Sequence, residues 1–323
     1  MAAALRNLVG WLLCAVGVVA LTIAALPSTG FSRWASTLLF GAQIIAFPRL
    51  LGLGIVLFGL VTALFFRSAR IGGAFLVAAG VIFAAFPSTV PWVGVPTGAS
   101  EASGDTLTVA TLNSQATLAQ SDIEELAQHY SPDVIVLPDA SPDRAARAAQ
   151  GTEYEGTAYA GELGEIHAEP TTMLLHPRLG ELTPADGPTT TLNTPSLALP
   201  AGVDIIGIHT LPPVPEAMEG WRADLDSVLA FGEDPTRGPL ILAGDFNATL
   251  RHGPLAARTR LVDTAQECAA APEGTWPASR SSLLRTPIDH VFVTPDIQVL
   301  DCAVRRVGAG DHRAYVATLR LPG

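Results

Sequence analysis

The chain of 323 residues has a formal net charge of −11, from 19 basic residues, all of them arginine, against 30 acids. Residues 1–93 contain five arginines and no acid, so the rest of the chain carries fourteen arginines against thirty acids, a formal charge of −16. A negative charge of this size repels a polyanion at long range. It excludes nucleic-acid binding through a broad basic surface and leaves only local, metal-assisted contact.

The first third of the chain is predicted to be a membrane anchor, residues 1–93. Residues 8–26 carry no charge, and this run is close to the roughly 20 residues that cross a bilayer. No small-x-small cleavage pattern follows it, which favours an anchor over a removed signal peptide. Two further apolar runs, 50–66 and 71–88, flank the basic link at 67–70 and indicate a helical hairpin. The anchor is therefore expected to contain about three transmembrane helices, with the shorter charge-free run 34–47 in the interface or re-entrant.

The distribution of arginine predicts the orientation in the membrane. With three spans and a cytoplasmic amino terminus, Arg6, Arg67 and Arg70 lie inside, whereas Arg33 and Arg49 lie outside. Four spans would leave two arginines inside and three outside. The three-span arrangement is preferred, and it predicts a multi-pass protein of the cell membrane whose C-terminal domain lies outside the cytoplasm. Because the spans hold no acid, a transporter is disfavoured.

The remainder reads as a linker and one α/β domain. Residues 87–105 are rich in Pro, Gly and Ser and are predicted to be the linker. Residues 106–323 are enough for one domain with its own core. Strands are predicted at 106–112, 133–137, 171–175, 192–199, 203–208, 240–243, 288–294, 299–307 and 315–321, and helices at 118–130, 216–231 and 261–268. Several strands are uninterrupted apolar runs, which favours two sheets packed face to face with helices outside.

Polar side chains suited to metal, phosphate or proton chemistry follow one predicted strand after another. They are Asn113, Asp139, His209, Asp245 with Asn247, Asp289, and Asp311 with His312. Each of them alone is more simply a turn, cap or loop residue. Strand ends at one edge of a packed scaffold can converge on one site, however, and the recurrence of this pattern predicts that they do.

The order of these motifs resembles a known superfamily. The blocks are TLNSQ, PDVIVLPDA, GIHTLPP, AGDFNAT, TWP, PIDHVFV and GDHRAYVATL. Together they resemble the endonuclease/exonuclease/phosphatase (deoxyribonuclease-like) superfamily over about residues 106–321. With the helices in front, the chain looks like a membrane-anchored bacterial branch. The resemblance implies a four-layer α/β sandwich that hydrolyses phosphoester bonds with a divalent metal, Mg²⁺ or Mn²⁺.

Three residues take metal-side roles by this resemblance. Asn113, Asp139 and Asp311 would hold the metal, and hard oxygen ligands suit Mg²⁺ or Mn²⁺. The chain departs from the family at two places. Asp139 stands where the family has Glu, one methylene longer, and Gly310 stands where many members have Ser.

Five residues take catalytic roles by the same resemblance. Asp245 would orient or deprotonate the attacking water, and Asn247 would donate a hydrogen bond to a phosphoryl oxygen. His312 would contact the phosphate, with Asp289 fixing its tautomer and raising its basicity. His209 would stabilise the transition state or protonate the leaving oxygen.

The sequence leaves the substrate and one covalent link open. The substrate is expected to be a phosphoester: nucleic acid, a phospholipid or a small ester, and no protein partner is implied beside the lipid bilayer. A non-catalytic surface-binding module with a degenerate metal site is the alternative of another class. Cys268 and Cys302 either pair in an oxidising exterior or remain two separate buried thiols.

Overall fold

The computed structural model of the chain describes residues 2–85, 104–163, 169–268, 270 and 273–323. The predicted linker lies outside these residues except for Gly104 and Asp105. The chain divides into two compact units. Met1–Pro91 and Leu250–Ala257 form the helical unit, and Trp92–Thr249 and Arg258–Gly323 form the α/β unit. The inclusion of Leu250–Ala257 in the helical unit differs from the predicted boundary, which gave all of 106–323 to one domain.

The helical unit contains five α-helices among its described residues. They are α1 (Ala2–Ala25), α2 (Gly30–Ala35), α3 (Gly41–Ala46), α4 (Pro48–Phe65) and α5 (Arg70–Ala85). Three segments are long and apolar enough to cross a membrane: Ala3–Ala25, Pro48–Phe65 and Arg67–Ala85. They correspond to the three predicted spans, 8–26, 50–66 and 71–88, with shifted ends. The run 34–47 falls across α2, α3 and the turn between them.

Helices α4 and α5 form the predicted hairpin, and glycine lets their backbones approach. A Cβ atom on Gly59 would lie 2.7 Å from the carbonyl oxygen of Gly73, and a Cβ atom on Gly73 would lie equally close to that of Gly59. Any side chain at either position would force the helices apart. Close contact through small residues is a common way for apolar helices to associate where no hydrophobic effect drives them together.

The segment Leu250–Ala257 is built into the helical unit by polar contacts. The Arg251 guanidinium donates to the carbonyl oxygen of Ala24, in the last turn of α1, and lies 4.9 Å from the ring centroid of Phe83. The backbone N–H of Gly253 donates to Ser36 Oγ at 2.8 Å. Burial lowers the pKa of Arg251 to about 10. A carbonyl at the end of a helix has no partner within the helix, so Arg251 satisfies a group that α1 leaves free.

The α/β unit contains two six-stranded mixed sheets flanked by helices, as predicted. The first sheet has the order β11-β12-β1-β2-β4-β3 and the second the order β5-β6-β7-β8-β10-β9. The strands are β1 (Thr106–Thr111), β2 (Val134–Leu137), β3 (Ala158–Tyr159), β4 (Thr172–Leu175), β5 (Thr183–Pro184), β6 (Ser196–Leu199), β7 (Val203–His209), β8 (Leu240–Asp245), β9 (Val262–Asp263), β10 (Asp289–Val293), β11 (Gln298–Arg305) and β12 (Ala314–Arg320). The helices are α6 (Gln120–Tyr130), α7 (Pro142–Ala148), α8 (Met218–Gly232) and α9 (Thr264–Glu267).

The core follows from alternation of apolar side chains along the strands. On β1, Leu107 and Val109 belong to the cluster between the two sheets, which also contains residues of β7, β8 and β10. Ala110 belongs to a second cluster, with Ile123 of α6. Successive side chains of a strand point to opposite faces, so a strand that is apolar throughout is buried on both. This is why the continuous apolar runs correctly predicted a sheet covered on both sides.

Strand direction brings the predicted polar residues to one edge. β1 runs parallel to β2, and β7 runs parallel to β8, so their carboxyl ends lie at the same edge of each sheet. β10 and β12 run antiparallel to β8 and β1 and therefore begin at that edge. Gly244 is required on β8 because its φ is +147° and a Cβ atom would lie 1.9 Å from the carbonyl oxygen of Ile208. Polar residues at these strand ends thus face a common region.

A disulfide joins Cys268, after α9, to Cys302 on β11, with a Cα–Cα distance of 5.9 Å and a sequence separation of 34. Closing a loop of this length stabilises the folded state by about 3–4 kcal/mol, because it removes conformational freedom from the unfolded chain. We expect Cys302→Ala to lower the free energy of unfolding by about that amount. Denaturant unfolding with and without reductant measures it. The control is the double variant that lacks both Cys268 and Cys302, whose unfolding midpoint should not change with reductant. Equal unfolding midpoints for the oxidised and the reduced wild type would contradict the prediction.

Candidate active site

Three of the predicted residues lie side by side across the second sheet. In the register of the strands, His209 at the end of β7 pairs with Asp245 at the end of β8. Asp245 in turn pairs with Asp289 at the start of β10. All three side chains are buried. The row therefore places two carboxylates and an imidazole next to one another at the edge where the strands meet.

Asp245 is held by hydrogen bonds from two asparagines. Asn113 Nδ2 donates to its Oδ2 at 3.0 Å, and the backbone N–H of Asn247 donates to its Oδ1 at 2.8 Å. Burial, and after it the nearby charge of Asp289, raise the pKa of Asp245. A carboxylate with a raised pKa is a stronger base, which suits a group that accepts a proton from water.

His312 lies between three carboxylates. Its Nδ1 is 2.8 Å from Asp289 Oδ2, and its Nε2 is 3.8 Å from Asp245 Oδ2 and 3.9 Å from Asp311 Oδ1. Burial alone would lower the pKa of His312, but the charges of Asp289 and Asp245 outweigh it and raise the pKa to about 10. The ring is therefore an imidazolium that donates from Nδ1 to Asp289 and presents a second N–H at Nε2.

The remaining site residues lie beside this cluster. His209 Nδ1 is 3.8 Å from Asp139 Oδ1, and the Asp139 side chain is 29% exposed. Asn247 Nδ2 donates to the carbonyl oxygen of Thr210 at 2.9 Å. Asp139 and Asn247 both have a positive φ, 54° and 46°, a conformation that Asp and Asn tolerate better than most residues. Strained backbone of this kind is common at functional sites.

The structure brings all eight predicted residues to one region of the α/β unit. Three residues lie near Asp245: Asn113, Asn247 and His312. Asp289 and Asp311 lie near His312. Asp139 lies beside His209, which pairs with Asp245 across the sheet. Asn113, predicted to lie on the metal side of the site, donates a hydrogen bond from its amide group to Asp245. The individual roles of the eight residues stay predictions.

The donor set fits a divalent cation. Asp245, Asp289 and His312 offer atoms within 4.8 Å of one another. Two of these groups are carboxylates, and Asp311 adds a third carboxylate beside His312. Among the described residues, Asp289 Oδ1 and Asp311 Oδ1 are buried oxygens without a hydrogen-bond partner. Buried carboxylate oxygens that lack hydrogen-bond donors are the kind of oxygen ligand that Mg²⁺ and Mn²⁺ prefer.

Two contacts at the site were not anticipated from the sequence. Trp276 Nε1 donates to Asp311 Oδ2 at 2.9 Å. Thr210 Oγ1 donates to the carbonyl oxygen of Phe246 at 2.6 Å and so ties the end of β7 to the loop after β8. The TWP block marked the first of these residues, but nothing in the sequence specified its hydrogen-bond partner.

Comparison with known proteins decides the family. The model of the Endonuclease/Exonuclease/phosphatase family matches residues 110–312. The chain belongs to this family. Its homologues are phosphoester hydrolases, and the chain is accordingly an enzyme of the nuclease and phosphatase class. The family's enzymes depend on divalent metals. No curated protein sequence matches the chain significantly.

Solved structures share the fold at low sequence identity. An endonuclease/exonuclease/phosphatase from Bacteroides vulgatus is 16% identical, with 67% of this chain and 99% of that one covered and a TM-score of 0.51. TDP2 of D. rerio, complexed with a single-strand DNA product, is 15% identical, with 67% and 99% covered and a TM-score of 0.50. A family member from Beutenbergia cavernae DSM 12333 is 21% identical, with 68% and 72% covered and a TM-score of 0.48.

Proposed function

We propose that this family member is a membrane-anchored, divalent-metal-dependent phosphodiesterase that acts outside the cytoplasm. The observation that carries the proposal is the buried group of Asp245, His312 and Asp289, in which a base of raised pKa lies next to an imidazolium. Such a pair of groups with opposite protonation states is what acid–base chemistry at one phosphorus atom needs.

The side chains divide the reaction between them. Asp245 accepts a proton from the water that attacks phosphorus in line with the leaving oxygen. Asn247 uses one amide hydrogen for Thr210 and has a second to donate to a phosphoryl oxygen. His312 donates from Nε2 to a phosphoryl oxygen while Asp289 holds its orientation. Donors fixed in advance around developing charge are usually the largest source of catalysis.

The other site residues would act on the leaving oxygen and on the metal. His209, which lies beside Asp139, would give a proton to the leaving oxygen. Asp139 and Asp311 would hold the ion, with Asn113 fixing Asp245 beside them. A bound Mg²⁺ or Mn²⁺ supplies positive charge that offsets the negative charge of the phosphoryl oxygens. Asp139 would offer the ion the same carboxylate as the family's Glu, on a side chain one methylene shorter.

The substrate class is best tested by direct comparison. The DNA product in the TDP2 complex makes nucleic acid the first candidate. Phospholipid head groups and small phosphate esters are the second, because three segments of the chain are apolar enough to cross a membrane. We expect the full-length chain with Mg²⁺ or Mn²⁺ to hydrolyse a generic phosphodiester. Comparing its turnover on DNA, on phospholipid vesicles and on a phosphomonoester ranks the three substrate classes. Chelator-treated protein is the control. Metal that neither supports turnover nor raises the Tm would contradict the proposal and favour a non-catalytic binding module.

The orientation in the membrane is a separate prediction. Arg67 lies in the turn between α4 and α5 and Arg70 is the first residue of α5, so this end of the hairpin is expected to lie in the cytoplasm with the amino terminus. The Cys268–Cys302 disulfide supports an oxidising location for the α/β unit. We expect a periplasm-dependent or exterior-dependent reporter to be active when fused at residue 323 and inactive when fused after residue 69. The opposite pattern would overturn the topology.

A further inference from the structure

A buried ion pair lies in the α/β unit on the other side of β10 from Asp289. Neighbouring residues of a strand point to opposite faces, so His290 does not share the direction of Asp289. His290 Nδ1 is 3.0 Å from Asp263 Oδ2, and neither side chain is more than 2% exposed. The mechanism above does not use His290.

Both ring nitrogens of His290 face acceptors. Nδ1 faces the Asp263 carboxylate, and Nε2 lies 3.0 Å from the carbonyl oxygen of Ala248. A carbonyl oxygen can only accept a hydrogen bond, so Nε2 carries the hydrogen of its contact with Ala248. The two contacts therefore fix the orientation of the ring from both sides.

The same ring holds both neighbours of Asn247. Its Nε2–H donates to Ala248, which follows Asn247, and its ring lies edge-on to Phe246, which precedes it, with centroids 5.7 Å apart. The ring also stacks on Phe292 at 5.1 Å and 21°. Asn247 has a φ of 46°, and a residue in this conformation keeps it only when its surroundings fix it.

We propose that His290, held by Asp263, is a positioning residue for Asn247. Its two contacts fix the backbone of residues 246–248, and this aims the Asn247 carboxamide at the phosphoryl oxygen. The inference rests on the proposed function, because it assigns the group that Asn247 serves. His290 touches no reacting atom and acts only through the loop after β8.

The test is the kinetics of His290→Gln in the full-length chain on a phosphodiester with Mn²⁺. The amide nitrogen of glutamine can donate a hydrogen bond to one of the two acceptors, but the side chain cannot bridge Asp263 and Ala248 as the ring does. We expect kcat per folded molecule to fall about 10- to 100-fold, the loss typical of a reacting group misplaced by about 1 Å, with KM changed much less. Asp263→Asn, which removes the charge that holds the ring, is expected to show the same split.

Tyr154→Phe is the matched control. Tyr154 is fully buried, and its hydroxyl donates to the carbonyl oxygen of Pro132 at 2.6 Å, at the start of β2 and so at the opposite edge of the sheet. We expect this variant to lose thermal stability and keep its kcat. If His290→Gln behaves like the control, with a lower Tm and an unchanged kcat, His290 is only structural and the inference is wrong.

Two further results separate the possible failures. A wild type that hydrolyses no phosphoester overturns the proposed function itself, whereas an active wild type with a fully active His290→Gln variant overturns only the positioning role. Should the variant not fold, nitrogen NMR of histidine-labelled wild type decides. We expect the His290 ring to carry a slowly exchanging proton on Nε2, the nitrogen that donates to the carbonyl oxygen of Ala248. An Nε2 without a proton would contradict the inference.

Discussion

Asp245→Asn is expected to lower the turnover of a phosphodiester by about 10³–10⁴-fold, because it removes the base that accepts the proton of water. The amide has the same shape, and the buried row loses one of two neighbouring negative charges. The Tm is therefore expected to stay the same or to rise, as is usual where function holds a site in an unfavourable arrangement. The measurement is kcat under saturating substrate and metal, with the Tm recorded on the same samples.

The control for this variant is Asp226→Asn, an acid on the exposed side of α8. It makes the same chemical change away from the site and is expected to leave kcat and Tm close to wild type. An Asp245→Asn protein that keeps wild-type turnover would remove Asp245 from the mechanism. A large loss of Tm with the loss of activity would instead show that the residue holds the fold.

His312→Ala is expected to lower kcat by about 10²–10⁴-fold, since it removes a charged donor to the phosphoryl oxygen. Asp289→Asn keeps a hydrogen-bond acceptor opposite His312 Nδ1 but removes the charge that favours the imidazolium. We expect a smaller loss, about 10–100-fold, the range usual for a residue that orients a functional histidine. Steady-state kinetics of the two variants side by side measures the difference. An Asp289→Asn variant that loses more activity than His312→Ala would mean that Asp289 has a role of its own.

The strand ends were predictable because they depend on local pattern. Apolar runs with period two or no interruption marked the strands, and the polar residue after each run marked the edge at which it ends. His209, Asp245 and Asp289 therefore lie at strand ends as expected, and the parallel and antiparallel directions of β7, β8 and β10 bring them into one row. The order of the motifs then supplied the family, which the family model confirms over residues 110–312.

The partners of these side chains were not predictable, because they come from distant parts of the chain. Asn113 donates to Asp245 across 132 residues, and no local pattern distinguishes this from a metal contact. His290 directly follows Asp289 in the sequence, yet it faces Asp263, 27 residues before it. Helix α7 (Pro142–Ala148) was missed because seven residues give too short an apolar period to recognise.

The segment Leu250–Ala257 shows the same limit at the level of domains. Its sequence continues directly from the motif around Asp245, and composition gives no boundary there. Its place in the helical unit depends on contacts such as that of Gly253 with Ser36, 217 positions apart in the chain. Domain boundaries drawn from composition follow the chain in order and cannot detect a segment that leaves one unit and returns to it.

The central claim, that the residues at these strand ends form one hydrolytic centre, is tested most directly by combining Asp245→Asn with His312→Ala. Residues that act on the same step as a unit are strongly non-additive. We predict that, under saturating metal, the kcat of the double variant is about equal to that of the less active single variant. Losses that multiply, so that the double variant is reduced by the product of the two single effects, would show that the two residues act independently and would contradict the account.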